Sequence, residues 1–290
     1  MNNELQDKLN HGETGQVTAR APALTALRTG IAAVLMAGAT ALAQDGGDES
    51  AGDLAYRVQN RLAFIPRLPI ENQFDFGYGS EDAMRYALRP RPVIPFSLGD
   101  ELGLITRTTM NLIYQEAPEA GLDDKFGLGD TDLELYLSPK YKQAGGWIYG
   151  AGPMLRFPTA TDEALGGEKW GAGPAVAGLR QSGRWTYGVF LNHLWDFAGV
   201  SDRSDLNATY MQPLLSYTTK GATTFGVDTQ STYDWAGEVW TVPVNLTVSQ
   251  LVKVGRQPVV FTLGGRYYAD KPEGGPDWGM QFSMSFIFGE

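Results

Sequence analysis

The sequence predicts an all-β protein, a transmembrane antiparallel up-and-down β-barrel of about 12 strands. Apolar residues alternate with polar or small residues over long segments, the connections between segments alternate in length, and aromatic residues gather at segment ends. A period of two places one set of side chains on one face of a strand. The segments are long enough for the roughly 9–11 residues that a tilted strand needs to cross a bilayer.

Residues 240–248 show the alternation clearly, because Trp, Val and Leu occupy the even positions and Thr, Pro and Asn the odd ones. Similar segments recur along the chain, and their even number agrees with that of bacterial outer-membrane barrels. Their predicted starts are Leu62, Ala83, Leu102, Phe126, Gly146, Lys169, Arg184, Ala208, Ala222, Val239, Gln257 and Asp277.

The connections support the same prediction. Every second connection is mostly tight, as at 98–100, 181–183 and 255–256, whereas several others are longer and acidic, as at 115–125 and 159–168. Short turns on one side and long loops on the other are typical of outer-membrane barrels. A lipocalin-like soluble barrel is the nearest alternative. The polar face carries too many charges for a core, so we expect the apolar face to meet lipid.

The N-terminus predicts export. Thr29–Ala43 is an apolar run that follows Arg20 and Arg28 and ends in a small-x-small cleavage pattern at Ala41–Ala43. The run is too short for a permanent membrane helix, and an ordinary amphipathic N-terminal helix is the alternative.

The predicted organisation is therefore a signal peptide at 1–43, a polar tail at 44–60 and a barrel at 61–290. The Gly-rich first part of the tail is expected to be disordered, and the expected location is the bacterial outer membrane.

Composition narrows the function classes. The 290-residue chain has a formal net charge of −10 and no cysteine. The acidic balance argues against a nucleic-acid partner, which would require a basic face. The lack of cysteine excludes disulfides and thiolate metal sites.

The polar face of the alternation predicts the residues of the lumen. Basic and acidic residues fall on neighbouring strands, which indicates either a transverse field across a constriction or ion pairs that fill the lumen. Twelve strands lie between the filled eight-stranded barrels and the open porins. The predicted lumen residues are Arg67, Glu71, Asp75, Arg85, Arg89, Arg91, Arg107, Asp130, Asp132, Glu134, Arg156 and Arg266.

Asp130, Asp132 and Glu134 share one strand face because they are spaced two apart. Three carboxylates suit calcium, but pairing with the inward arginines is the preferred interpretation, so we predict neither a metal nor a cofactor.

Aromatic residues near segment ends predict girdles at the two membrane interfaces, where outer-membrane barrels carry them. The predicted girdle residues are Tyr78, Tyr114, Trp147, Phe157, Trp185, Trp195, Tyr217, Tyr233, Trp240, Tyr267 and Trp278.

Catalytic patterns are scarce. His193 is the single histidine after the predicted leader, and Trp195 occupies the position where outer-membrane phospholipases carry their serine. Gly127-Leu-Gly129 lacks the third glycine of a nucleotide-binding turn. We therefore predict no catalytic residue and no enzyme, with His193 at the membrane boundary.

The last segment resembles the C-terminal signal that the outer-membrane assembly machinery reads. The match rests on a glycine followed by alternating large hydrophobic residues, and the chain departs from the pattern by two residues after the final Phe. The predicted signal residues are Gly279, Phe282, Met284, Phe286 and Phe288.

Residues 128–288 resemble a family of outer-membrane transporters named for the MetA phenol-degradation pathway, some members of which are labelled "neuromedin U". The resemblance rests on Gly127–Lys140 (GLGDTDLELYLSPK), on GAGP at Gly150 and again at Gly171, and on Gly264–Asp270 (GGRYYAD). It implies a barrel and a pore for small aromatic compounds, and it supplies no catalytic residues.

The predicted function is passive uptake of small solutes through an outer-membrane channel. A closed barrel with a structural or adhesive role and a porin selective for anions or acidic sugars are the alternatives. The expected partners are outer-membrane lipids and lipopolysaccharide, the assembly machinery and a small-molecule solute.

Overall fold

The computed structural model describes residues 50–141 and 144–288, so the predicted signal peptide lies outside the described residues. Within this part, sixteen strands form one antiparallel sheet. The sheet closes because the last strand pairs with the first, from Arg67 opposite Ile287 to Phe76 opposite Trp278. Four membrane spans consist of two strands in line, so the fold is a 12-stranded barrel, and the predicted fold class is confirmed. No helix of the described residues has the length and hydropathy of a transmembrane helix.

The pairs β2–β3, β4–β5, β6–β7 and β12–β13 each make one span. The strands are β1 (Arg67–Tyr78), β2 (Ala83–Pro90), β3 (Val93–Leu98), β4 (Leu102–Thr109), β5 (Leu112–Gln115), β6 (Lys125–Leu128), β7 (Thr131–Pro139), β8 (Trp147–Phe157), β9 (Lys169–Ser182), β10 (Trp185–Gly199), β11 (Asn207–Thr218), β12 (Thr223–Thr229), β13 (Ser231–Asp234), β14 (Val239–Val254), β15 (Gln257–Asp270) and β16 (Trp278–Ile287). Eleven predicted starts fall within one residue of an observed strand.

The break between β2 and β3 lies at a proline. Pro92 has no backbone N–H and so cannot donate to a sheet ladder. The wall stays continuous because Thr108 and Met110 donate their backbone N–H to the carbonyls of Pro92 and Pro90, at 3.1 and 3.2 Å.

The two ends of the barrel differ. At one end, which we call the short-turn end, tight turns follow β3, β9, β11 and β14, and β1 begins beside the end of β16. At the other, the long-loop end, residues 116–124, 158–168, 200–206 and 271–277 connect the strands. This arrangement agrees with the predicted alternation of short and long connections.

The repeated GAGP segments lie side by side. In the β8–β9 pair, Pro153 stands directly opposite Pro174. A Cβ at Gly152 would collide with the carbonyl oxygen of Leu135, and one at Gly173 would collide with that of His193. The glycines therefore permit close approach of neighbouring strands.

The outer face of the barrel is apolar. Leu246, Val248 and Met280 are exposed there, and so are Phe96 and Leu137. An exposed apolar belt of this extent on a closed barrel is what a lipid-facing surface requires.

Residues 50–66 differ from the sequence prediction. Ala51–Val58 forms a helix, α1, within the predicted polar tail; Ser50 caps it by accepting the backbone N–H of Asp53 at 3.2 Å. The predicted start of the first strand at Leu62 was wrong, because β1 begins at Arg67. Leu62 is only 2% exposed and packs inside the barrel with Val93, Ile105 and Tyr136.

Candidate functional site

A larger and a smaller cavity lie in the lumen among the described residues. The larger has a volume of about 570 Å³ and extends toward the long-loop end, where Tyr78 and Gly167 contribute to its lining. The smaller has a volume of about 200 Å³ and is bordered by Val58, Gln59 and Arg61 from the N-terminal segment. Arg91, Arg107 and Gln230 line both, so the two cavities meet at these residues.

Every predicted lumen residue lines one of these cavities. Arg67 and Glu71 line the smaller one, Arg91 and Arg107 line both, and the others line the larger one. That these residues act as a solute constriction stays a prediction.

Three inward arginines pair with carboxylates on adjoining spans. Arg91 lies 3.0 Å from Glu71, and Arg156 makes a two-pronged contact with Asp132 at 2.7 and 2.8 Å. Arg107 and Glu134, the third pair, lie 3.1 Å apart with side chains that are each 10% exposed.

The Arg107–Glu134 pair is the centre of a larger cluster. Tyr136 and Asn192 donate to one oxygen of Glu134 at 3.0 and 3.3 Å, while Arg107 pairs with the other oxygen. The Arg107 guanidinium also lies over the ring of Phe190, 4.9 Å from its centre. The carboxylate therefore has hydrogen-bond donors on both oxygens, which a buried charge requires.

A fourth pair crosses the line of barrel closure. Arg266 on β15 lies 3.7 Å from Asp75 on β1, and Tyr268 donates to the same Asp75 oxygen at 2.9 Å. Gly279 on β16 stands opposite both Asp75 and Arg266. A Cβ at Gly279 would collide with Asp75, so the absence of a side chain lets β1 and β15 interact across β16.

The loop 158–168 folds into the lumen. Leu165 is 5% exposed and packs with Ala87 and Ile113, while the Gly167 N–H donates to Asp130 at 2.8 Å. A Cβ at Gly127 would collide with Thr161 of this loop. The GLGD stretch therefore provides the space and the acceptor that hold the loop inward, and Asp130 serves this purpose instead of pairing with an arginine.

The N-terminal segment occupies the short-turn end of the lumen. Leu54 and Ala55 of α1 and Ile65 pack with Leu251 and Val260 of the wall. Asp53 is also paired with Arg184 at 3.0 Å, and Gln181 donates to the Tyr56 carbonyl at 2.8 Å. The helix is thus held by both an apolar face and polar contacts.

Sequence reasoning missed several lumen residues on the opposite wall. Asn192 and Tyr210 line the larger cavity and Asp228 lines the smaller one. The alternation that predicted the other lumen residues also places these three on the inner face. Arg61 reaches within 4.0 Å of Asp228 from the N-terminal segment. No strand pattern covers Arg61, so the sequence carries no signal for its position.

Seven of the predicted girdle residues are exposed on the barrel: Trp147, Trp185, Trp195, Tyr217, Trp240, Tyr267 and Trp278. Tyr233 packs against Trp240 with ring centres 4.9 Å apart, Phe157 packs against Trp170, and the Tyr114 hydroxyl donates to Asp124. The prediction for Tyr78 was wrong, because Tyr78 lines the larger cavity. A bulge between Asp75 and Tyr78, with Gly77 at a φ of 87°, reverses the alternation there.

The large hydrophobic residues of the predicted assembly signal lie on the outer face of β16, whereas Gly279 lies on the inner face, beside Asp75. Phe282, Met284 and Phe286 are half-buried, and Phe288 is exposed just beyond the strand. Recognition of these residues by an assembly machinery stays a prediction.

His193 lies on β10 beside Trp195, with ring centres 4.0 Å apart, and its Nδ1 is 2.7 Å from the Thr209 hydroxyl. Trp235 donates its indole N–H to the same hydroxyl at 2.8 Å.

Three solved structures illustrate what the chain resembles. An outer membrane channel from Pseudomonas putida F1 has 16% sequence identity and a TM-score of 0.62, and the match covers 84% of this chain and 100% of that one. The KdgM porin has 11% identity and a TM-score of 0.42, with coverage of 77% and 99%. Outer membrane phospholipase A from Escherichia coli has 11% identity and a TM-score of 0.46, with coverage of 87% and 97%. No protein-family model matches the chain, and no curated protein does.

At these identities the comparison shows the fold: the chain is a barrel of the outer-membrane class. The prediction that the chain is not an enzyme was wrong as an exclusion. Outer membrane phospholipase A, an enzyme, is among the structures with a similar barrel, so the fold gives no ground for that exclusion.

Proposed function

We propose that the chain is an outer-membrane channel for the passive uptake of small solutes. The observation that carries the proposal is the cavity of about 570 Å³ that the barrel encloses and lines with charged residues. Its volume is in the range of sites that hold small molecules. The channel from Pseudomonas putida, which has the same fold, supports the class of function and the location in the outer membrane.

The charges of the lining support a preference for anions. Six arginines and four carboxylates line the larger cavity, although the whole chain has a net charge of −10. Positive charge is therefore concentrated where a solute would pass, and a low-dielectric wall strengthens its field. Small aromatic compounds, the substrate class that the family resemblance implies, remain part of the proposal because apolar side chains and tyrosines also line this cavity.

A closed barrel with a structural role is the second candidate. It is favoured by the N-terminal segment, since Leu54 and Leu62 are 1% and 2% exposed and lie inside the short-turn end. In either case we propose that the apolar belt contacts outer-membrane lipid and lipopolysaccharide, and that β16 is the part which the assembly machinery binds.

Single-channel recording of the refolded chain in planar bilayers separates the two candidates. Discrete conductance steps, with a reversal potential that shows anion preference in a salt gradient, would support the channel. A correctly folded barrel that conducts neither ions nor small solutes would overturn the channel and leave the closed barrel. The conductance of the full chain is compared with that of a variant that lacks residues 50–60, because this deletion removes α1 from the short-turn end of the lumen.

A further inference from the structure

Two arginines of the larger cavity form no ion pair with any carboxylate in the part of the chain that the structure describes. Arg85 and Arg89 lie on the inward face of β2, and no carboxylate of the described residues is within 4.0 Å of their guanidinium nitrogens. The Nε of Arg89 is buried and makes no hydrogen bond to any described residue. Arg91, Arg107 and Arg156 in the same cavity all have carboxylate partners.

The carboxylates nearest along the sheet are occupied. Asp75 stands opposite Arg85 in the register of β1 and β2, and Glu71 stands opposite Arg89. Both oxygens of Glu71 accept from Arg91, at 3.0 and 3.1 Å. Asp75 accepts from Gln73 and Tyr268 and lies 3.7 Å from Arg266. The strand register therefore places a carboxylate opposite each of Arg85 and Arg89, but both carboxylates interact with other side chains instead.

An apolar patch lies between the two arginines. Ala87 is the inward residue between them on β2, and it packs with Ile113 of β5 and Leu165 of the inward loop. These three side chains are 4%, 3% and 5% exposed and border the cavity. The wall thus places two positive donors on either side of an apolar surface.

We propose that Arg85, Arg89 and this patch form a binding site for a small organic carboxylate with an apolar body. The planar guanidinium matches a carboxylate with paired hydrogen bonds, and every basic residue that lines the two cavities is an arginine. The apolar body of the ligand lies against Ala87, Ile113 and Leu165. This inference deepens the proposed function, and its test is chosen to be independent of conductance.

The test is isothermal titration of the refolded full barrel in detergent with three probes. Benzoate carries both the charge and the ring, benzamide keeps the ring without the charge, and acetate keeps the charge without the ring. We expect benzoate to bind more tightly than either of the others. The double variant Arg85→Gln, Arg89→Gln is expected to weaken benzoate binding by about tenfold or more, since each charge-assisted hydrogen bond contributes strongly.

Arg180→Gln is the matched control. Arg180 also has a buried Nε without a hydrogen bond, but it lies on the outer face of β9, over the ring of Trp147. Unchanged benzoate affinity in this variant, with weakened affinity in the double variant, supports the site. Equal binding of benzoate and benzamide, or full benzoate affinity in the double variant, overturns it. A barrel that conducts but does not prefer benzoate refutes only the site, whereas a silent barrel that binds benzoate refutes only the channel.

Discussion

The Arg107–Glu134 pair gives the sharpest test of how charges in this lumen are balanced. The substitution is Glu134→Gln, which keeps the shape and removes the negative charge. Arg107 then keeps its positive charge without its carboxylate, 10% exposed, in a cavity that it shares with Arg67 and Arg91. Removing one partner of a buried pair costs about 3–5 kcal/mol. Because the pair borders a cavity, we expect the lower end, about 3 kcal/mol, which is roughly a hundredfold in the unfolding equilibrium.

The assay is urea unfolding of the refolded barrel in lipid vesicles, monitored by tryptophan fluorescence. The urea concentration at the unfolding midpoint is compared between variants that have the same m-value. The control is Glu273→Gln, the same chemical change in an exposed loop, which is expected to stay within about 0.5 kcal/mol of the parent. The double variant Arg107→Met, Glu134→Met is expected to recover only part of the loss. An apolar pair needs no counter-charge, but it leaves the buried Tyr136 hydroxyl and the Asn192 amide without their acceptor.

A Glu134→Gln barrel as stable as the Glu273→Gln control would refute the reasoning. It would mean that lumen water screens Arg107 as well as the carboxylate does. The same variant provides a second readout in a bilayer, since one negative charge fewer in the lumen is expected to move the reversal potential toward anions.

The remaining predictions concern the helix, a loop and the wall. Leu54→Ala removes the 1% exposed anchor of α1, so proteolysis within 51–58 and the channel conductance are both expected to rise. The pKa of Asp124 is lowered by hydrogen bonds from the Tyr114 hydroxyl and a backbone N–H. The carboxylate therefore stabilises its loop above roughly pH 3.9, and this stabilisation is lost as the pH falls through the lowered pKa. Hydrogen exchange of the backbone amides in 116–124 measures the stability of the loop, with Asp124→Asn as the reference. Gly152→Ala is expected to impair refolding, judged by heat-modifiable gel mobility, whereas Gly178→Ala, where a Cβ meets open space, is expected to refold like the parent.

The strands were predictable because the bilayer acts on every span in the same way. Lipid on one side and a polar lumen on the other impose a period of two, so the starts near Lys169 and Val239 follow from the alternation of apolar and polar residues alone. The prediction failed at Tyr78 because Gly77 adopts a left-handed conformation, and one bulged residue reverses the face of all that follow it in a strand.

The N-terminal segment was not predictable by the same means. The apolar face of α1 is short, and its burial depends on Leu251 and Val260, which are distant in sequence. An isolated helix of this length is marginal in water, so most of its stability comes from the barrel that surrounds it. Composition alone therefore predicts a polar tail, and only the closed barrel supplies the surface that makes the segment a helix.

The pairing of charges depends on closure of the sheet, which no local pattern encodes. Asp75 and Arg266 lie on strands that are separated by β16, and they interact because Gly279 stands between them without a side chain. The sequence assigns Gly279 to a recognition signal for the assembly machinery. The structure gives a second reason for a glycine at this position, because a side chain there would collide with Asp75. Because Asp75 is held toward Arg266 and Tyr268, it is withdrawn from Arg85. Gly279 thus helps to determine which lumen arginine is left without a carboxylate partner among the described residues.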